Sequence, residues 1–280
     1  MLRTRVVTAV AVLVVLLGML FFAPSRAWSL LMLGVALVAC WEWSRMSGLG
    51  PRGQSAYLFL SGALGAAFWL LYERDPGGAF AEAAARAFLC ASVFWIVFVP
   101  AWLARLARPS PFACAVAGWL VMWPTWFAFV ALRDAGPWLL LAIAALVWIA
   151  DIAAYFAGRA FGRRKLAPSI SPGKTWEGVY GALAAVAAYG AVLSWISRVE
   201  PLPVSGLFAA GSTLAIVGAM LLLAVLSIVG DLFESWMKRG AGLKDSSGLL
   251  PGHGGVLDRI DALTSTLPVA ACALTLRSLA

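Results

Sequence analysis

Acidic side chains stand inside or directly beside the most apolar segments of this chain, where charged residues are otherwise rare. Asp151 lies within one apolar run, Asp231 and Glu234 end another, and Asp258 and Asp261 begin the last one. A carboxylate in a transmembrane helix costs about 2.5–3.5 kcal/mol on insertion scales, so it needs a partner or a function. These acids are therefore the first candidates for a chemical role.

A hard divalent cation would compensate several such acids at once. Mg²⁺ prefers oxygen ligands and usually takes one or two carboxylates, together with waters and phosphate oxygens of a substrate. We predict one or two divalent cations, and whether a monovalent cation joins them is left open. The predicted ligands are Asp231, Asp258 and Asp261. The alternative is that the acids form salt bridges with Arg159, Arg239 or Arg259.

Basic residues on two long loops could bind phosphate groups beside such a cation. Three of them, Lys238, Arg239 and Lys244, lie in the loop that follows Asp231, and Arg259 comes directly after this loop. In the other loop, Pro172 and Gly173 set a turn from which Ser171, Lys174 and Thr175 can present donors. The glycine spacing of SPGKT differs from that of a Walker motif. The segment could still bind phosphate through free backbone amides and the ammonium group of Lys174.

The only histidine of the chain, His253, stands among glycines at positions 252, 254 and 255. Glycine allows positive φ angles and a close approach of the backbone to a ligand. We predict that Gly254 and Gly255 contact the substrate and that His253 contacts phosphate or carries a proton. An exposed loop histidine is the alternative.

The composition places these residues in a membrane. With 62% hydrophobic residues, 12% charged residues and a mean hydropathy of +0.91, the chain is too apolar for a soluble domain. Runs of about 20 apolar residues predict an all-α, polytopic integral membrane protein with about nine transmembrane helices. The predicted spans are Val6–Ala23, Ser29–Trp43, Ala56–Tyr72, Ala83–Leu103, Phe112–Leu132, Trp138–Phe156, Val179–Ile196, Leu207–Gly230 and Ile260–Leu279.

The distribution of basic residues predicts the orientation. With a cytoplasmic N-terminus, 15 of the 21 basic residues lie on the inner side and 6 on the outer side, as the positive-inside rule requires. All five acids then lie towards the cytoplasmic face. The net charge of +8 is explained by topology and anionic lipid, so no nucleic-acid partner is expected.

The two halves of the chain differ in their loops. Residues 1–135 have short loops and are predicted to be scaffold helices, whereas residues 136–280 form the catalytic region with two cytoplasmic-side loops, 158–177 and 238–257. Small residues in the seventh span (Gly181, Ala185, Ala188 and Gly190) fit close helix packing within one subunit, or a dimer face. The four cysteines fall inside spans and are interpreted as packing residues.

Acids for a metal, bases for phosphates and a lipid setting together indicate phosphoryl or nucleotidyl transfer to a membrane substrate. Two segments that carry these residues resemble the phosphatidate cytidylyltransferase family, also called CDP-diacylglycerol synthases. One is SWMKRGAGLKDSSGLLPGHGGVLDRID, residues 235–261, and the other is DIAAYFAGRAFGRRKLAPSISPGKTWEG, residues 151–178.

The resemblance implies the reaction of CTP with phosphatidic acid to give CDP-diacylglycerol and pyrophosphate, with Mg²⁺, in a bacterial inner membrane and by a homodimer. The catalytic residues it implies are Asp231, Lys238, Arg239, Lys244, Asp245, His253, Asp258, Arg259 and Asp261. The substrate-binding residues are Asp151, Tyr155, Ser169, Ser171, Lys174, Thr175, Glu177, Ser235, Gly254 and Gly255. The alternatives are a related CTP-dependent lipid-phosphate transferase, a polyprenol kinase or, from another class, a membrane transporter.

Overall fold

A computed structural model of the chain describes residues 2–107, 109–199 and 212–279. Within these ranges the chain forms ten α-helices and one two-stranded sheet. The elements are α1 (Leu2–Phe22), α2 (Ser25–Met46), α3 (Pro51–Arg74), α4 (Ala79–Val93), α5 (Val99–Arg105), α6 (Pro111–Ala135), α7 (Pro137–Phe161), β1 (Lys165–Ala167), β2 (Ser171–Thr175), α8 (Trp176–Val199), α9 (Thr213–Gly240) and α10 (Leu257–Leu279). A π-helical segment, Phe94–Phe98, joins α4 to α5 without a break.

Proline and serine mark where several helices begin. Pro51, Pro111 and Pro137 each occupy the first turn of a helix, where the missing amide hydrogen is not needed. Ser110 and Ser212 cap α6 and α9, since each hydroxyl accepts a hydrogen bond at 3.2 Å from a backbone amide of the first turn. The short connections between helices are therefore specified locally by the sequence.

The prediction of an all-α polytopic membrane protein is confirmed. In the part of the chain that the structure describes, seven helices are long and apolar enough to cross a membrane, and Val7–Phe22 is a shorter apolar helix. The last predicted span corresponds to α10, which is outside these seven because acids and hydroxyl residues occupy its first half. The eighth predicted span begins at residue 207, and its first residues, up to 211, lie outside the described residues. The count of nine spans stays a prediction.

The first long loop contains a small β-hairpin, which the all-α prediction did not include. Strands β1 and β2 pair antiparallel, with Lys165 opposite Thr175 and Ala167 opposite Ser171. A loop packed against helix ends must pair its backbone polar groups, and a hairpin does this locally. The hairpin leads directly into α8, so β2 is held against the ends of the neighbouring helices.

Helix α9 lies at the centre of the packing that forms the site. It contacts α8 on one side and α10 on the other, while α8 packs extensively along α7. Helices α2, α3 and α6 pack together, and α10 contacts both α6 and α4. On the inner face of α9, Phe233 is buried against Trp43, Phe94 and Trp95, so this helix also contacts the first half of the chain.

The small residues of α8 serve packing within the subunit. A Cβ on Gly178 would lie 2.9 Å from the carbonyl oxygen of Ala154, and one on Gly181 would collide with Ala157, both on α7. On the other side of the helix, a Cβ on Gly190 would lie 2.8 Å from the sulfur of Met220 on α9. These glycines let α8 approach two helices closely, which is the use of small residues expected in membrane bundles.

We expect Gly181→Leu to destabilise the fold strongly, because a leucine cannot fit between α7 and α8. Overpacking of this kind costs about 1–3 kcal/mol or more. The matched control is Gly218→Leu on α9, since a Cβ at Gly218 has no atom within 4 Å. Thermal unfolding in detergent measures the effect. A melting temperature of Gly181→Leu equal to that of the control would contradict this packing.

Candidate active site

A cavity of about 460 Å³ opens between α7, the hairpin, α8 and α9. Its lining includes seven polar side chains that the sequence predicted for the site or its surroundings, namely Asp151, Tyr155, Arg159, Ser171, Lys174, Thr175 and Asp231. These residues come from two helices and a strand that are separated in the sequence. The structure therefore brings the first predicted loop, 158–177, beside the acids of α7 and α9, whereas no residue of the second loop, 238–257, lines this cavity.

Lys174 and Asp231, which both line this cavity, form an ion pair. The ammonium nitrogen of Lys174 on β2 lies 2.5 Å from Oδ2 of Asp231 on α9, and the two side chains are 25% and 32% exposed. The hydroxyl of Ser235, one turn further along α9, donates to Oδ1 of Asp231 at 3.3 Å. Because both charged groups reach the cavity, an anionic or cationic ligand there can compete for either of them.

Asp231 also links the acids of two further helices. Asp151 on α7 interacts electrostatically with Asp231, Lys174 and Arg259. Asp261 on α10 interacts with Asp231 from the other side. The carboxylates of α7, α9 and α10 therefore share one region, and two cations of the described residues, Arg159 and Lys174, line the cavity beside it.

A second, buried group of charges lies behind the cavity. Lys238 forms ion pairs with Glu234, one turn earlier on α9, and with Oδ1 of Asp258 at 2.6 Å. The side chains of Lys238, Glu234 and Asp258 are 10%, 4% and 5% exposed. Lys238 was predicted to bind substrate phosphate, but here its ammonium is enclosed by two carboxylates, and the residue does not line the cavity. In this position Lys238 compensates the charges of Glu234 and Asp258.

Asp258 holds the second loop in its folded form. Its Oδ2 accepts hydrogen bonds from the amide of Ser246 at 2.9 Å, the hydroxyl of Ser246 at 3.0 Å and the amide of Gly255 at 2.7 Å. Together with Lys238, these donors occupy both carboxylate oxygens. The predicted metal-binding role of Asp258 would need some of these bonds to break, whereas Asp231 and Asp261 are less committed.

No role was predicted for Glu42 on α2, although it has as many hydrogen-bond partners as Asp258. It is completely buried and accepts hydrogen bonds from the hydroxyls of Ser246 and Ser247 and from the amides of Val256 and Leu257. The only sequence signal was an acid inside an apolar span. Its partners lie more than 200 positions away, so spacing could not identify them.

The backbone conformation and close packing of residues 252–255 explain why this turn is rich in glycine. Gly252 and Gly254 adopt φ angles of +75° and +84°, and Leu250 and Gly254 pair in an isolated bridge. A Cβ on Gly255 would collide with Ser246 and Glu42. The ring of His253 is 3.4 Å from the carbonyl oxygen of Pro251 and does not line the cavity. The glycines therefore allow a tight turn against two buried carboxylates.

Several predicted substrate-binding residues of the first loop stabilise the loop itself. Glu177 accepts hydrogen bonds from the amides of Arg163 and Arg164, at 3.0 Å and 3.2 Å. The hydroxyl of Thr175 accepts from the amide of Gly178 at 3.2 Å and caps α8. Ser169 lies in the exposed turn between the strands and is not part of the cavity lining.

The remaining predicted bases lie on the surface around the site. Arg239 is exposed and donates to the carbonyl oxygen of Leu243 at 3.0 Å. Lys244, Asp245 and Arg259 are also exposed. They are accessible to a charged ligand from the aqueous side, and Arg259 is close enough to Asp151 to interact electrostatically.

We expect Lys238→Met to lower the free energy of unfolding by about 3–5 kcal/mol, because removing one partner leaves buried charges without compensation. The methionine keeps the length of the side chain, so packing changes little. Lys244→Met is the control, since Lys244 is exposed and surface substitutions change stability by about 0.5 kcal/mol or less. Unfolding in mixed detergent micelles measures both. Equal unfolding midpoints for the two variants would contradict a charge-balancing role.

Comparison with known proteins identifies the family. A model described as the cytidylyltransferase family matches residues 3–277. The chain is 39% identical to a phosphatidate cytidylyltransferase of Pseudomonas aeruginosa, over 98% of this chain and 97% of that protein. A phosphatidate cytidylyltransferase of Haemophilus influenzae is 33% identical, with 96% of each chain covered. The match spans both halves of the sequence, and the chain belongs to the cytidylyltransferase family.

Proposed function

We propose that this protein transfers the cytidylyl group of CTP to phosphatidic acid, giving CDP-diacylglycerol and pyrophosphate in bacterial phospholipid biosynthesis. The observation that carries the proposal is the cavity in which Lys174 and Asp231 meet at one end of a membrane bundle. A lipid phosphate and a nucleotide triphosphate need both a cationic contact and a carboxylate for their metal ion. The relatives named as phosphatidate cytidylyltransferases support the choice of substrates.

The proposed reaction needs no general base. Phosphatidic acid carries a phosphate monoester whose second pKa is about 6, so it is largely dianionic near neutral pH. One of its oxygens attacks the α-phosphorus of CTP, a new P–O bond forms, and the bond to the β-phosphate oxygen breaks as pyrophosphate leaves. The protein then acts mainly by positioning the two substrates and compensating their charge. The position of His253 outside the cavity lining agrees with this scheme.

The charges of the site fit a divalent cation. Five carboxylates and four cations lie in this region, which leaves a formal charge of −1 when all are ionised: Asp151, Asp231, Glu234, Asp258 and Asp261 against Arg159, Lys174, Lys238 and Arg259. Among the described residues, no group of three or more acids, histidines or cysteines forms a complete ligand set. Mg²⁺ commonly takes one or two carboxylates and completes its shell with waters and phosphate oxygens.

Asp231 and Asp261 are the residues that we propose for Mg²⁺. One oxygen of Asp231 pairs with the partly exposed Lys174. Asp261 does not itself line the cavity, and among the described residues its Oδ1 accepts one hydrogen bond, from the neighbouring amide at 2.7 Å. When bound there, Mg²⁺ would offset charge on the nucleotide phosphates and on the departing pyrophosphate. Lys174 would then be released to contact a phosphate oxygen in the cavity.

We further propose that the site faces the cytoplasm of a bacterial inner membrane and that the N-terminus is also cytoplasmic. Both long loops lie at the same end of the bundle as the end of α2, where Arg45 donates to the carbonyl oxygen of Ser246 at 3.4 Å. This end is the one to which the positive-inside rule assigns 15 of the 21 basic residues. CTP is available there. A homodimer and nine spans complete the proposal.

The identity of the nucleotide and the lipid decides between this function and its alternatives. We expect purified protein in detergent to form CDP-diacylglycerol from phosphatidic acid, CTP and Mg²⁺. Product formation from ATP, GTP or UTP should be at least about tenfold lower, because a site that hydrogen-bonds polar groups of one base discriminates against the others. Product is measured by thin-layer chromatography of labelled lipid. Product from ATP and a polyprenol would indicate a kinase, and a need for a transmembrane gradient would indicate a transporter.

Asp231→Asn and Asp261→Asn are each expected to lower turnover by about 100-fold or more, the loss typical of removing a charge-stabilising group from a transition state. Neither change should lower the melting temperature of the metal-free protein, because each relieves the repulsion between the two carboxylates. Stabilisation by added Mg²⁺ should decrease in both variants.

Glu82→Gln is the control for these two changes. Glu82 is an exposed residue of α4 that pairs with Arg86 on the same helix, so its turnover and its response to Mg²⁺ should match the wild type. Near-normal turnover in both aspartate variants would remove the proposed metal site.

A further inference from the structure

Glu42 connects the first half of the chain to the loop that precedes α10. Its carboxylate lies on α2, while all four donors that it binds belong to residues 246–257. The residue is 0% exposed, so water cannot replace these donors. Helix α2 belongs to residues 1–135, which were predicted to be scaffold helices.

The bonds to Glu42 fix the start of α10. The amide of Val256 donates to Oε1 at 2.9 Å, and the amide of Leu257 donates to Oε2 at 2.6 Å. Amides at a helix N-terminus have no partner within the helix, and a negative charge is favourable there. Glu42 therefore caps α10 from another helix, and both of its oxygens are needed to do so.

The serine hydroxyls extend this contact into the charged site. The hydroxyl of Ser246 lies 3.1 Å from Oε2 of Glu42 and 3.0 Å from Oδ2 of Asp258. A hydroxyl has one hydrogen, so it donates to one carboxylate at a time. Asp258 in turn binds Lys238, and Lys238 binds Glu234 on α9. A continuous chain of polar contacts therefore runs from α2 to α9.

This chain of contacts determines where Asp261 points. Asp261 lies one turn after Asp258 on the same helix, and the first turn of α10 is held by Glu42 on one side and Lys238 on the other. A rotation or a shift of this turn would move Asp261 relative to Asp231 on α9. A displacement of about 1 Å in a reacting geometry can lower turnover about 100-fold.

We propose that Glu42 is a positioning residue for the transfer reaction, which fixes the loop 246–257 and the first turn of α10 so that Asp261 stays beside Asp231. The inference rests on the proposed function of that site. Glu42 itself does not line the cavity. Its influence on the reaction is exerted through Ser246, Asp258 and the backbone of α10.

Glu42→Gln is the informative substitution, because it keeps the size of the side chain and turns one acceptor oxygen into a donor that faces an amide. Measured well below the melting temperature of the variant, turnover should decrease about 10- to 100-fold, while KM for CTP changes less than about threefold. The Mg²⁺ concentration that gives half of the maximal thermal stabilisation should rise about tenfold. This last measurement does not depend on activity.

Glu73→Gln is the matched control. Glu73 pairs with Arg26 at 2.7 Å through a largely exposed arginine, and it has no contact with the loop 246–257 among the bonds of the described residues. Its turnover and Mg²⁺ response should equal those of the wild type. If the wild type and this control form CDP-diacylglycerol while Glu42→Gln has wild-type turnover and Mg²⁺ response, the positioning role is wrong and the proposed function stands.

Ser247→Ala keeps the inference testable should Glu42→Gln fail to fold. Ser247 donates to Oε1 of Glu42 at 2.5 Å, and its removal leaves the carboxylate in place with one donor fewer. Turnover should decrease about 3- to 10-fold with an unchanged KM for CTP. Wild-type turnover in this variant would overturn the proposal. Inactivity of the wild type with CTP and phosphatidic acid would instead reject the proposed function.

Discussion

Buried carboxylates need compensation, and this requirement organises one end of the helix bundle. An unpaired charge in an apolar environment is costly, so each buried acid must find donors or cations of its own. Glu42 finds three donors in one loop, and Asp258 finds two amides and the ammonium of Lys238. The hydroxyl of Ser246 lies between the two carboxylates and can donate to either. The second loop can take only the path that places these donors correctly, and the start of α10 follows from that path.

Two charge networks with different properties result. The network of Glu42, Asp258 and Lys238 is closed, since protein groups satisfy nearly all of its oxygens and it excludes solvent. The network around Lys174 and Asp231 is open to the cavity, which Asp151 and Arg159 also line. A closed network fixes geometry, whereas an open one can exchange partners with a ligand.

The sequence predicted which segments would meet, but it did not distinguish these two networks. Hydropathy and the positive-inside rule placed Asp151, Lys174 and Asp231 at the same membrane face, and the structure brings them to one cavity. The roles of Lys238 and Asp258 were less accessible, because spacing along a chain does not show which lone pairs are already occupied. Glu42 could not be assigned at all, since its partners follow more than 200 positions later.

The cap that α2 provides for α10 also has a consequence for biosynthesis. Ribosomes deliver α2 to the membrane long before residues 246–257 exist, since Glu42 precedes Leu257 by 215 positions. During that interval the acid has none of its native donors, so it must stay in contact with water or take up a proton. Completion of the last helix therefore ends an unfavourable intermediate, and chains truncated before residue 246 would be natural substrates for membrane quality control.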